Sequence, residues 1–210
     1  GVVLRLGTGR RNDVALVFAN KNLLGMLVLS SLMITVNWLV FICAVTNDML
    51  LQTSLGYFIN PLVSVGLGFV FLKERLRRWQ WVAVVIALLG VGNLVFLHGA
   101  FPWISLTVAF TFGFYGLLRK VAVVNAFAGL FVETLIVLPP VLAYLIYVDF
   151  QGTGAFWRIS LQTDGLLILA GLMTATPLVL FAMAAKRLRL ASVGFFQYIA
   201  PTGHFLLAVA

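Results

Sequence analysis

Charge is scarce in this chain of 210 residues. Only 10% of its positions are Asp, Glu, Lys or Arg, against roughly 25% in an ordinary soluble domain. That shortage excludes a soluble fold of this size, because too few side chains remain to face water. Cysteine is scarcer still. Cys43 stands alone, so no intrachain disulfide and no cysteine-based metal site can form. A small packing role is left for its thiol. The two histidines, His98 and His204, lie far apart and make no HExxH pattern. GxSxG, P-loop and GxGxxG sequences are absent, and no paired acids occur inside the apolar runs. An enzyme needs a nucleophile, base or metal set held together, and the chain supplies none. Neither a metal nor a cofactor is expected. Without a nucleotide site, any work the protein does must draw on a gradient.

Oily residues are what the chain has in plenty, at 62%. About 20 apolar residues in helical form cross the core of a bilayer. Seven stretches qualify: 22–46, 50–72, 79–97, 101–118, 126–148, 165–185 and 190–210. Glu133 is the one charge well inside any of them. The runs are continuous and do not alternate, which excludes barrel strands. Helices satisfy every backbone group within their own segment. The expected fold is therefore an all-α polytopic membrane protein whose main partner is the lipid bilayer.

The few charges are ordered. The net charge is +8. Thirteen bases fall in odd-numbered gaps between the runs: Arg5, Arg10, Arg11 and Lys21, then KERLRR at 73–78, then Arg119 and Lys120, then Lys186, Arg187 and Arg189. Arg158 alone falls in an even gap. Such alternation marks the cytoplasmic loops and puts the Gly1 side in the cytoplasm. Bases spread over short gaps do not make the single basic face that nucleic acid requires, so that partner is excluded.

The chain also repeats itself. A shift of 140 residues lays 27–70 over 167–210 without a gap, with ten identities: Leu27, Leu29, Leu32, Met33, Phe41, Ala44, Leu50, Ile59, Pro61 and Leu67. Pro61 falls on Pro201, Asn60 on Ala200, Tyr57 on Gln197 and Phe58 on Tyr198. The first members of the two copies are five spans apart. Five is odd, so the copies cross the membrane in opposite directions. Inverted repeats of this kind build carriers in which one half rocks against the other around a midplane site. Completing both copies takes two spans before Gly1 and one after Ala210, giving ten helices in two inverted five-helix sets. Residues 1–98 would then be the last three helices of one set, and 99–210 the first four of the other. The chain is expected to be a fragment.

Polar groups at membrane depth are the candidates for function. A charge at a helix centre costs about 2.5–3.5 kcal/mol on insertion scales, so Glu133 is a coupling or substrate group, or else a structural hydrogen-bonding residue between helices. Asn37, Tyr57, Asn60, Tyr115, Gln197, Tyr198 and His204 are each as well explained by interhelical bonding. As a set flanking two repeat-related prolines they point to a shared cavity. His204 could titrate near neutral pH. Pro61, Pro139 with Pro140, Pro177 and Pro201 each remove a helical hydrogen bond and are hinges or plain curvature. Gly56 permits close packing, as do small pairs such as Ser64 and Gly68.

Taken together, several stretches resemble the RarD family, in the EamA branch of the drug/metabolite transporter superfamily. They are SLGYFINPL (54–62), GFVFLKERL (68–76) with WQW after it, FGFYGLLRK (112–120), AGLFVETLIVLP (128–139) and FFQYIAPT (195–202). The resemblance covers nearly the whole chain. It implies ten helices in two inverted halves, in a bacterial inner membrane. It also implies a permease, labelled in that family by chloramphenicol sensitivity, with relatives that export amino acids and other small metabolites. His204 stands where the family pattern has a less basic residue. The expected function is thus secondary transport of a small metabolite or drug, with proton coupling through Glu133 and pairing of two copies both left open. The alternatives are a seven-helix receptor or light-driven pump, and a membrane scaffold that moves nothing. A cytoplasmic start and a seventh span without lysine speak against the receptor or pump.

Overall fold

The computed structural model describes residues 10–98, 101–154, 156 and 158–203. All regular structure among them is helical. The eight helices are α1 (Arg10–Ala19), α2 (Lys21–Thr46), α3 (Leu50–Leu72), α4 (Arg78–His98), α5 (Trp103–Val121), α6 (Ala126–Phe150), α7 (Leu161–Arg187) and α8 (Leu190–Gln197). Five are long and apolar enough to cross a membrane: α2, α3 from Gln52, α5, α6 and α7. The seventh expected span is described as α8, a turn at Tyr198, and helix again over 199–203. The rest of it, with His204, lies outside the described residues.

Local chemistry sets the helix ends. Asn20 accepts hydrogen bonds from the backbone N–H of Asn22 (3.1 Å) and Leu23 (3.2 Å), capping α2. Asn125 caps α6 through the N–H of Phe127, and Ser160 caps α7 through that of Thr163. An N-cap oxygen satisfies a donor the helix cannot. Helices consequently run past their oily stretches. Arg119, Lys120, Lys186 and Arg187, expected in gaps, lie in the last turns of α5 and α7, where cations suit the helix dipole. One element was not foreseen. The arm before Lys21 forms α1, because its apolar run VALVFA is too short to read as a span yet long enough to bury Val17.

The chain forms two compact units. The first takes residues 1–31 and 122–183. There α1 packs on α6, and Val17, Leu27, Ala122 and Val132 make a buried cluster. The flank of α7 in this unit is largely bare, with Leu166, Leu172 and Met173 exposed.

The second unit takes 32–121 and 184–210 and is built around α3. Helix α5 lies along one side of it, α8 along another, and α4 packs less extensively. Two apolar clusters lie along α3, Leu55 with Ile59 and Ala109 and then Leu67 with Leu117 and Leu190, while a third, Ala44 with Ile104 and Val108, joins α2 to α5. Two glycines allow the close approach. A Cβ on Gly56 would lie 3.2 Å from the Ser105 carbonyl, and one on Gly194 only 2.8 Å from the Pro61 carbonyl.

Candidate functional site

The crossing of α3 and α8 brings together three of the polar residues that sequence singled out: Asn60, Gln197 and Tyr198. Asn60 Nδ2 donates to Gln197 Oε1 at 3.0 Å. Tyr198, in the turn after α8, donates its hydroxyl to the Phe58 carbonyl at 3.3 Å. Pro61 is fully buried here and has no N–H to give the carbonyl one turn before it. The amide pair is only half satisfied. Asn60 Oδ1 and Gln197 Nε2 are buried without a hydrogen-bond partner among the described residues. A buried amide atom left unpaired costs about 1–3 kcal/mol. The crossing therefore offers one acceptor and one donor, side by side, to whatever can use them.

Other candidates stand apart from that crossing. Asn37 joins α2 to α5, donating to the Val108 carbonyl (2.7 Å) and to Thr111 Oγ1 (3.0 Å). Both amide protons are thus committed to interhelical bonds. Tyr115 is completely buried in α5, its ring beside Phe112. Tyr57 faces outward, 46% exposed, edge-on to Phe41. Pro139, Pro140 and Pro177 are exposed on α6 and α7, and both helices continue through them. Cys43 is exposed and does not fill a core gap. It lines a cavity of about 450 Å³ with Leu39, Asn47, Met49 and Trp103.

Glu133 sits in the first unit, only 2% exposed. The Ser30 hydroxyl donates to its Oε1 and also lies 3.2 Å from the Leu27 carbonyl. A buried carboxyl on a lipid-depth helix is thus met by a hydroxyl from α2. Such an arrangement can hold a proton or release it without breaking the contact, since Ser can donate to the carboxylate or accept from the acid.

Three polar residues escaped sequence reasoning. Ser30 reads as one more small residue in an oily helix. Arg119 is completely buried in α5, although as part of a basic gap it reads as solvated. Glu74, inside KERLRR, is nearly buried and bonded to backbone 116 residues away. The one available signal for Glu74 was its sign, a lone acid in a basic loop.

Apolar helices of this length, with polar groups tied off between them, define a multi-pass α-helical membrane protein. Comparison with known proteins then places it. The chain is 48% identical over 184 residues to Protein RarD of Escherichia coli, covering 88% of this chain and 62% of that protein. It is 44% identical over 208 residues to an uncharacterized transporter of Vibrio cholerae, covering 99% and 68%. It is 34% identical over 193 residues to the chloramphenicol-sensitive protein RarD of Pseudomonas aeruginosa, covering 92% and 64%. The chain belongs to the RarD family. It spans about six-tenths of the length of curated relatives such as the Escherichia coli protein. No family model matches the chain, and no solved structure matches it.

Proposed function

We propose that this chain forms the centre of a secondary transporter, a permease that exports a small metabolite or drug across the bacterial inner membrane. The Gly1 side is cytoplasmic in this reading. The architecture behind it is ten helices in two inverted sets of five, of which this chain carries seven, divided at residues 98 and 99. One observation carries the proposal. Tyr198 donates to the carbonyl of Phe58, and these positions are 140 apart, the period of the repeat. A two-fold operation maps each onto the other. Equivalent positions touch only beside the axis. The half-satisfied amides of Asn60 and Gln197 lie at the same crossing, where an inverted-repeat carrier holds its solute.

A spare donor beside a spare acceptor suits a neutral polar group better than an ion. Asn37, Tyr57, Tyr115, Tyr198 and His204 are the further solute candidates, with Pro61, Pro139, Pro177 and Pro201 as hinges. Glu133, buried against Ser30, is the proton-coupling candidate. Pairing of two copies is a separate expectation, read by light scattering of the purified protein.

Transport is tested with the full-length protein in proteoliposomes under an imposed proton gradient. Chloramphenicol is the first solute, since a relative carries it in its name and its amide offers both an N–H and a C=O. A screen of metabolites and drugs follows. Solute-dependent flux supports the reading, whereas gradient-insensitive, solute-independent vesicles throughout the screen favour a scaffold. The inverted repeat has its own check. Asn47→Cys and Arg187→Cys should react with impermeant thiol reagents from opposite sides, and reaction of both from one side overturns it.

A further inference from the structure

The two ends of the α3 bundle are held differently. At one end, an apolar cavity lined by Leu39, Cys43, Asn47, Met49 and Trp103 lies between α2 and the start of α5, beside the contact of Ala44 with Ile104. At the basic-loop end, the Glu74 carboxylate ties the helices together, beside a longer hydrogen bond from Arg189 to the Arg75 carbonyl (3.3 Å). Both oxygens of Glu74 accept backbone hydrogen bonds from the first turn of α8, Oε1 from Leu190 N–H (2.8 Å) and Oε2 from Ala191 N–H (2.9 Å). Arg189, at the N-cap position, makes no side-chain cap of its own. Glu74 caps α8 from across the bundle.

The surroundings hold that carboxylate in place. Lys73 closes α3 in the left-handed conformation (φ 53°), and the Glu74 N–H bonds back to the Gly68 carbonyl at 3.0 Å. The missing side chain of Gly68 makes the room, since a Cβ there would lie 2.8 Å from Glu74 Oε2 and 3.2 Å from the Ala191 nitrogen. Lys120, at the end of α5, lies 3.7 Å from Glu74 Oε1. Its ammonium also donates to the carbonyls of Ala185 (3.0 Å) and Leu188. One ion pair thus joins the loop after α3, the end of α5, the 185–188 segment and the start of α8. Charge-assisted hydrogen bonds of this kind are roughly twice as strong as neutral ones, and this pair is largely withdrawn from screening water.

We propose that Glu74 is a gating residue: its hold on the α8 N-terminus latches the basic-loop face shut, and solute passage on that side requires its release. The inference rests on the transport reading, because a latch matters only if the face opens. It adds a residue outside the solute crossing. The geometry favours a latch over a fixed cap because the bonds reach α8 from another helix's loop. Moving α8 away from α3 breaks all of them together, while each helix keeps its own backbone bonds.

The test uses the full-length protein with Cys43→Ser and one reporter, Ser64→Cys. Ser64 is buried on α3 against Gly194, between the latch and the amide pair. Impermeant thiol reagent is applied from each side of oriented vesicles. With Glu74 intact the reporter should be protected from the basic-loop side. In Glu74→Gln, which loses the ion pair and one of two strong acceptors, modification from that side alone should rise about tenfold or more. Gly68→Ala should do the same without altering any charge, and serves if Glu74→Gln does not fold. Unchanged protection in a folded variant overturns the latch and leaves Glu74 a helix cap. An equal rise from both sides overturns it too, as general loosening. Flux is read in parallel: a reporter that opens without any solute flux in the parent protein sinks the transport reading and not the latch.

Discussion

The second unit and the first are equally oily and are put together differently. Around α3, contact is made through small residues and hydrogen bonds: Gly56 against Ser105, Gly194 against Pro61, Asn37 to α5, Asn60 to Gln197, Glu74 to α8. In the first unit the polar pair of Ser30 and Glu133 is buried beside a modest apolar cluster, and the long face of α7 is left bare among the described residues. Lipid explains the contrast. Between helices in a membrane there is no hydrophobic drive, because acyl chains are as apolar as leucine, so close packing and hydrogen bonds decide which helices associate. The α3 bundle has both in quantity. The face of α7 has neither, and suits lipid or other apolar helices.

Substitutions can sharpen that contrast, beginning with the largest effect. Gly194→Leu should dismantle the α3–α8 crossing, since even a Cβ meets the Pro61 carbonyl; Gly194→Ala should cost about 1–3 kcal/mol by overpacking. Thermal unfolding in detergent measures both, and a stability unchanged by the alanine would refute the close approach. A comparably small-to-large change on the bare face, Gly171→Ala, meets nothing within 4 Å and should not lower the midpoint, because Ala is also the better helix former.

Glu133→Gln comes next. Its amide oxygen can still accept from Ser30, so the fold should stand while gradient-driven uptake is lost; uptake at parental rates removes the coupling role. Asn60→Leu and Gln197→Leu, singly and together, form a cycle whose coupling should be near 0.6 kcal/mol, the average for hydrogen bonds in a membrane. If the spare amide atoms bind solute, each single change should also raise KM, and an unmoved KM confines the pair to a structural role. The smallest effect belongs to the exposed Arg158–Asp149 pair. Its 2.8 Å contact raises the arginine pKa through the hydrogen bond to Asp149. Arg158→Gln should nevertheless leave the unfolding midpoint unmoved at any salt concentration.

Much of this was legible along the chain. Runs of twenty apolar residues announced α2, α3, α5, α6 and α7, because a helix in lipid advertises itself by its length. Asn60, Gln197 and Tyr198, singled out as polar groups at membrane depth beside prolines, do meet. Sequence could not reveal that Asn37 spends both its amide protons on α5, or that Tyr57 turns outward. The facing of a uniformly oily helix has no periodic signature. Arg119 and Glu74 were hidden for the opposite reason. A charge beside other charges reads as solvated, and only packing shows that it has been drawn inside.

Sequence by itself determined that the chain is helical and oily enough to require a bilayer. Both follow from residue chemistry summed along the chain. Tertiary structure alone decided which polar groups meet. Hydrogen bonds such as Asn60 to Gln197 and Glu74 to Ala191 join residues more than a hundred positions apart, and a distance of about 3 Å between such residues exists only once the helices have packed.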